Sequence, residues 1–231
     1  MTNKWLKVAL MATAIATGTS INIDAETVLY VPQDDRPVSL QYTVDTAREA
    51  GMTVLTPPQN LISGKTYQGQ ADQIMAWVEQ NAGRADVMVL STDTLIYGGL
   101  VDSRKHNIPL STLESRLKRI EGLKARHKNV RIYGFGTVMR SPRASGGGTE
   151  PAYYAEYGPT IFQIAALQDK LDSGSLTQEE TQKLMSLQAS VPVEYLQDWF
   201  DRRQKNMKIN KELIDETRSG IFDYFALGHD D

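Results

Sequence analysis

The chain alternates short apolar runs with longer segments in which apolar residues recur every three or four positions. Short apolar runs are typical of strands buried on both faces, as in a parallel sheet, and the longer segments are typical of amphipathic helices. The pattern predicts strands at 27–31, 52–55, 85–90, 130–138 and 221–227. It predicts helices at 38–50, 71–81, 110–127, 153–171, 177–188 and 193–218, and a capping box at Thr177 and Glu180.

This alternation indicates the α/β class with a mainly parallel sheet. Two architectures fit it, the first part of a (β/α)8 barrel and an open doubly wound sheet. No Gly-x-Gly-x-x-Gly motif follows the first strand, which disfavours the dinucleotide-binding form of the second architecture. Few residues follow the fifth predicted strand, so we expect residues 26–231 to be a single α/β domain that is truncated at its C-terminus.

Residues 1–25 have the pattern of a signal peptide. Lys4 and Lys7 give a positive start, an apolar and small-residue stretch covers 8–17, and residues 23–25 resemble a cleavage site. The stretch is shorter than the about 20 apolar residues that cross a bilayer. A buried N-terminal helix is the alternative, although the segment lacks an amphipathic stripe. We therefore expect a periplasmic or secreted protein with no membrane anchor in the mature chain.

Composition excludes several kinds of chemistry. The chain has no Cys, and therefore no disulfide, thiolate metal ligand, cysteine nucleophile or lipidated cysteine. Lys and Arg number 25 and Asp and Glu number 28, which gives a net charge of −3. This balance lacks the basic footprint that nucleic acids or anionic membranes require, so we expect no nucleic-acid partner.

Three predicted strands lead into acidic residues, which are Asp34 and Asp35, Asp93, and Asp230 and Asp231. The carboxyl ends of parallel strands share one edge of the sheet, where α/β proteins bind ligands. We expect one of the adjacent acids Asp34 and Asp35 to face this site while Arg36 or the following helix holds the other. The alternative is that Asp35 caps the helix and pairs with Arg36.

Tyr97, Gly98 and Gly99 follow the third strand closely and form a candidate binding rim. A glycine pair lets the backbone approach a ligand, while the phenol and Asp93 could hydrogen-bond to a sugar or another polyol. The alternative is a packed turn in which Asp93 is only a cap. Arg104 is a further candidate, able to bind substrate or to pair with a nearby acid.

Arg140 after the fourth strand and His229 after the fifth complete the candidate set. His229 has acidic neighbours, whereas His106 and His127 lie in polar segments that we expect at the surface. One histidine with several aspartates could hold a divalent cation or form an acid–base pair. Because arginines at the same strand ends can neutralise the carboxylates, we expect no bound metal and no other cofactor.

Three of these motifs together resemble a known family. VPQDDRPVS near the start of the predicted mature chain, STDTLIYGGLVDSR at the third strand and the closing GHDD resemble the bacterial proteins grouped as domain of unknown function 4127. The resemblance spans essentially the whole mature chain, and it departs from the family pattern at Gln33, a position that is more usually aliphatic. Family members are considerably longer, which implies that a C-terminal part is missing here. The resemblance implies no reaction, because the family has no assigned function.

Carboxylates, an aromatic rim and export favour a hydrolase that acts on glycans or related polyhydroxylated substrates. Glycoside hydrolysis uses two carboxyl groups about 5 to 10 Å apart, a spacing that strand-end acids can meet. We expect Asp93 to be the nucleophile or base, and Asp34 or Asp230 the acid. A non-catalytic carbohydrate- or solute-binding protein would use the same residues, and an unstable product of a truncated gene is a third possibility. The partner is a small molecule or glycan; the sequence does not predict an oligomeric state.

Overall fold

The central feature of the fold is a five-stranded, all-parallel β-sheet. The computed structural model describes residues 25–144 and 147–229. The strands are β1 (Thr27–Val31), β2 (Thr53–Leu55), β3 (Val87–Ser91), β4 (Arg131–Val138) and β5 (Tyr224–His229), in the spatial order β2-β1-β3-β4-β5. The α/β class with a parallel sheet is therefore confirmed.

The strand order distinguishes between the two predicted architectures. In a (β/α)8 barrel consecutive strands are neighbours, whereas here β1 lies between β2 and β3. The order is that of a doubly wound sheet in which the direction of winding reverses at β1. The barrel alternative is wrong for this sheet, and the reversal point lies between the carboxyl ends of β1 and β3.

Eight helices of the described residues accompany the sheet. They are α1 (Gln41–Glu49), α2 (Ala71–Asn81), α3 (Thr92–Tyr97), α4 (Leu100–Lys105), α5 (Leu110–Arg126), α6 (Tyr154–Asp172), α7 (Gln178–Ala189) and α8 (Val193–Arg218). The six longest match the predicted helices, and the capping box of Thr177 and Glu180 is present. The sequence pattern missed α3 and α4, each of six residues, because two turns are too short to show a period.

Two predicted boundaries differ from the structure for local reasons. Residues 37–40 form a turn before α1, with the Tyr42 N–H donating to the Pro37 carbonyl, so the helix begins later than expected. Gly220 has a φ of 86° and reverses the chain after α8. Residues 221–223 complete this turn, and Phe222 is buried in the core, so β5 starts at Tyr224.

Apolar side chains form two cores that share one helix. The larger core packs β1, β3 and β4 against α2, α5 and the C-terminal half of α8, where Ile209 and Leu213 are buried. The second core joins α6 and α7 to Trp199, in the N-terminal half of α8. The 26-residue helix α8 therefore links the helical pair to the sheet.

The opposite face of the sheet is covered by α1 near β1 and β2. An apolar cavity of about 270 Å³ lies there, lined mainly by Val28, Tyr30, Val89 and Tyr133.

The predicted signal peptide falls almost wholly in residues 1–24, outside the described residues. Within the described residues, no helix combines the length and the apolar character needed to span a bilayer.

Candidate functional site

Two of the predicted acids follow the carboxyl ends of the neighbouring strands β1 and β3. Val31 of β1 lies in register with Leu90 of β3, and Asp34 and Asp93 each follow three positions later. Neighbouring strands lie about 5 Å apart, so the two carboxylates leave adjacent strands at the same height. In a doubly wound sheet this reversal point is where ligands bind.

Asp34 is buried and held by Arg36, which makes a close ion pair with it. The Arg36 Nη2 lies 2.7 Å from the Asp34 Oδ2, Nε donates to the same oxygen at 2.8 Å, and the Arg36 N–H donates to Oδ1 at 3.2 Å. Asp35 turns away and accepts a hydrogen bond from the Tyr67 hydroxyl, which raises the pKa of that phenol. Arg36 holds Asp34, so the expectation that Arg36 holds one acid of the pair is confirmed. The other half of that expectation would make Asp35 the acid that faces the site, but Asp35 contacts Tyr67 while Asp34 is the buried one. The alternative pairing of Arg36 with Asp35 as a helix cap is wrong.

Asp93 lies in the first turn of α3 and is 2% exposed. Its Oδ2 accepts hydrogen bonds from the Gln33 Nε2 at 3.1 Å and from the Thr137 Oγ1 at 2.8 Å. These donors come from the ends of β1 and β4, and Asp93 itself follows β3. Asp93 therefore connects the carboxyl ends of three strands. The cap of α3 is Ser91, whose hydroxyl accepts from the Thr94 N–H, and the interpretation of Asp93 as the capping residue is therefore wrong.

The glycine pair has a packing role in the protein. A Cβ on Gly99 would overlap the Ser63 side chain, and a Cβ on Gly98 would lie 2.8 Å from the Gly69 carbonyl oxygen. Gly98 also has a φ of 111°, which side-chain-bearing residues rarely adopt. Segment 63–69 thus packs on both glycines. Contact of Gly98 and Gly99 with a ligand stays a prediction.

Arg104 and Arg140 meet at a third acid, Glu150, which the sequence analysis did not select. The Arg140 Nη2 lies 2.8 Å from the Glu150 Oε1, and the Arg104 Nη1 lies 3.8 Å from the same oxygen. The side chains of Arg104 and Glu150 are almost fully buried. Arg104 thus pairs with Glu150 across the carboxyl edge, beside the end of β4.

Tyr97 and His106 lie together in the interior. Their rings stack with centroids 4.9 Å apart, and the Tyr97 hydroxyl has no hydrogen-bond partner among the described residues. Burial, and next the nearby negative charge of Asp93, raises the pKa of Tyr97 well above its usual value. The expectation of a surface position for His106 is wrong, since the residue is 6% exposed.

His229 ends β5, opposite Val138 of β4, and the predicted residues Asp230 and Asp231 lie outside the described residues. Three strand spacings separate β5 from β1, a distance of roughly 14 Å. His229 therefore does not join Asp34 directly. In the described ranges, no three His, Cys, Asp or Glu side chains are grouped as ligands of one metal ion.

Residues missed by sequence reasoning complete this edge. Gln33 and Thr137 contact Asp93, and Glu150 pairs with two arginines. Gln33 lies just after β1 and Thr137 is the last residue but one of β4, so a place at a strand end was an available signal for these two. Glu150 lies well beyond the end of β4 and had no such signal.

Comparison with known protein families finds a match that covers most of the chain. The sequence model of a family described as "Protein of unknown function (DUF4127)" matches residues 28–231. No curated protein and no solved structure matches the chain.

Proposed function

The chain belongs to the DUF4127 family, whose description states no function, and we propose from the site itself that the protein is a hydrolase of glycans or related polyhydroxylated substrates. The observation that carries the proposal is the placement of two buried carboxylates, Asp34 and Asp93, at the reversal point of the sheet. Two carboxyl groups about 5 to 10 Å apart are the minimum machinery of most glycoside hydrolases. Adjacent strand ends support a separation of that order.

The contacts of the two acids suggest which catalytic role each of them has. Arg36 fixes the orientation of Asp34 through its ion pair and hydrogen bonds, which suits a nucleophile or a base that must be aligned with the sugar or with a water molecule. The role of proton donor to the leaving oxygen then belongs to Asp93. This assignment reverses the expectation from sequence, where Asp93 was the nucleophile or base.

Access to Asp93 sets a condition on the mechanism. Asp93 is 2% exposed, and Gln33 donates to its Oδ2. A substrate hydroxyl that replaces the Gln33 amide would keep that hydrogen bond satisfied while bringing the scissile bond to the carboxyl group. The exposed Arg36 at the same strand end is a donor for further hydroxyl groups.

The place of action is part of the proposal. Residues 1–25 carry the sequence pattern of a signal peptide, and we take the substrate to be extracellular or periplasmic. Catalysis by the two aspartates needs no metal or organic cofactor.

A screen for released reducing ends tests the proposed reaction. The folded protein is incubated with cello-, xylo-, malto- and chito-oligosaccharides at pH values from 4 to 8, because general acid and base pairs give bell-shaped profiles. We expect new reducing ends from at least one class, with a rate maximum inside this range. Absence of product from every class, with the protein still folded, would contradict the proposal.

One observation favours a second candidate, a non-catalytic carbohydrate-binding protein. Both carboxylates are already fixed by protein donors, Asp34 by Arg36 and Asp93 by Gln33 and Thr137, and such fixed acceptors suit binding of hydroxyl groups. The same screen separates the two functions. Saturable binding of an oligosaccharide without product after long incubation supports the binding protein.

A further inference from the structure

A second polar cleft lies beside α4 and does not include Asp34 or Asp93. Its volume is about 380 Å³, near the lower end of the range for sites that bind small molecules. The cleft is bordered by segment 68–71, by α4 and by the start of α5; its lining includes Gly69, Tyr97, Asp102, His106, Asn107 and Arg116.

The cationic and imidazole groups of the cleft are already engaged. Arg116 makes two hydrogen bonds to Asp72, from Nε at 3.1 Å and from Nη2 at 2.6 Å, and donates from Nη1 to the Ile96 carbonyl at 2.7 Å. His106 accepts the Ile108 N–H at Nδ1, so its proton is on Nε2, which faces the Asn206 Oδ1 at 2.8 Å. The charge of Arg116 is already paired with Asp72, and His106 is neutral in this tautomer, so an anionic ligand is disfavoured.

Asp102 is the polar group of the cleft that can accept further hydrogen bonds. The residue is 7% exposed, and its Oδ2 accepts the Gly69 N–H at 3.0 Å. No hydrogen bond or ion pair from the described residues reaches Oδ1, and the neighbouring Lys105 donates instead to the Gly148 carbonyl at 2.9 Å. Burial raises the pKa of Asp102 more than the Gly69 N–H and Lys105 lower it. The cleft thus contains a carboxylate with no close cation.

We propose that this cleft binds a small ligand bearing a protonated primary amine, with Asp102 as its counterion. An ammonium group supplies both what Oδ1 lacks, a hydrogen-bond donor, and what the buried carboxylate lacks, a positive charge within contact distance. A divalent metal fits less well, because the described residues offer no group of three ligating side chains and metals of this class take six or more oxygen ligands. This site is independent of the proposed hydrolase activity.

Two sugars that differ in charge test whether the cleft prefers a cationic ligand. Glucosamine and glucose differ at one position, where an ammonium group replaces a hydroxyl, and their binding is followed by amide chemical shifts. We expect glucosamine to bind at least tenfold more tightly than glucose at neutral pH, with the largest shifts at Gly69 and in α4. Equal affinity for both sugars, shifts located elsewhere or no binding of glucosamine would overturn the proposal.

The variant Asp102→Asn tests the counterion. Its side-chain oxygen can still accept the Gly69 N–H, so the fold is retained while the charge is removed. We expect at least a tenfold loss of glucosamine affinity. Asp86→Asn is the matched control, since Asp86 also accepts a backbone N–H, from Thr27 at 2.8 Å, but is exposed near the amino ends of the strands. Unchanged affinity in Asp102→Asn, or an equal loss in Asp86→Asn, would rule out this role.

Discussion

At the scale of single residues, His106 shows how the interior constrains a titratable group. Its ring is buried against Tyr97 and hydrogen-bonded at both nitrogens. Burial, opposed in part by the hydrogen bond to Asn206, lowers the pKa of His106 from 6.5 to about 4. The imidazole is therefore neutral in the folded protein over the whole range in which an unfolded histidine gains a proton.

This difference predicts a loss of stability in mild acid. Below pH 6.5 the unfolded chain binds a proton that the folded chain does not, so the free energy of unfolding falls as the pH decreases from 6.5 to about 4. The loss from this group at pH 5 should be about 2 kcal/mol relative to pH 7. Urea unfolding at both pH values measures it.

Two histidine variants separate this effect from other acid-sensitive groups. His106→Gln removes the titrating group and should decrease the difference between pH 7 and pH 5 by about 2 kcal/mol. His127→Gln, at a half-buried position at the end of α5, should leave the difference unchanged. A wild-type pH dependence in His106→Gln would contradict the lowered pKa.

The acids of the candidate site were accessible to sequence reasoning, but their partners were not. Asp34 and Asp93 could be selected because each follows a buried strand, and parallel strands share a carboxyl edge. Gln33 and Thr137 also lie at strand ends, but their contacts with Asp93, like the contact of Asp102 with Gly69, join segments that are distant in sequence. The hydrogen-bond partners of such polar residues depend on tertiary packing, which a local sequence pattern does not record.

At the scale of elements, a close backbone crossing positions α3 and α4. Gly69 and Gly98 pass so near each other that a Cβ on Gly69 would overlap the Gly98 carbonyl oxygen. This approach also lets the Gly69 N–H reach Asp102 in α4. The two short helices thus depend on a glycine that is far from them in sequence.

The variant Gly69→Ala should therefore destabilise the protein by at least about 2 kcal/mol, because backbone must move to accept the methyl group. Gly83→Ala is its control, since a Cβ there would lie 3.8 Å from the His127 ring, an ordinary contact. The control should change stability by less than about 1 kcal/mol. Chemical denaturation of both variants measures the difference, and equal stabilities would show that the crossing is not tight.

The long elements were predictable and the short ones were not. Periodicity over many turns identified the six longer helices, including the exact span of α8. In α3 and α4 the Gly98-Gly99 pair suggested a loop, whereas Gly98 ends one helix in a left-handed conformation and Gly99 precedes the next. Glycine marks the junction between these helices, not an irregular segment.

At the scale of the whole molecule, α8 links two cores. Trp199 is fully buried against Tyr154, with ring centroids 4.3 Å apart, and the Arg203 guanidinium stacks 3.5 Å from its ring centre. Farther along the same helix, Leu213 is 1% exposed in the core below the sheet. Unfolding either core would expose apolar residues of this continuous helix.

We expect the two cores to unfold in one transition. In the double variant Trp5→Phe, Trp77→Phe, Trp199 is the remaining tryptophan, so its fluorescence reports on the second core while circular dichroism reports on all helices. The two signals should give the same midpoint in urea. Leu184→Ala in the second core and Leu213→Ala in the first should each lower both midpoints together and reduce the free energy of unfolding by about 2 to 5 kcal/mol. Separate midpoints would show that the cores are independent.

Alternating elements were sufficient to predict the α/β class, but not the order of the strands. Both a barrel and a doubly wound sheet have the same succession of strands and helices. The choice depends on β1 pairing with β3 as well as with β2, a long-range arrangement that leaves no periodic signal. That arrangement places Asp34 and Asp93 after neighbouring strand ends.

The central claim is that these two carboxylates perform the chemistry of the protein. The most direct measurement compares initial rates of reducing-end release, on the oligosaccharide that the wild type cleaves best, among Asp34→Asn, Asp93→Asn and the control Asp86→Asn. The account predicts losses of about 100-fold or more in the first two variants and a rate within about twofold of wild type in the control, with all three folded. Wild-type rates in both Asp34→Asn and Asp93→Asn would contradict it.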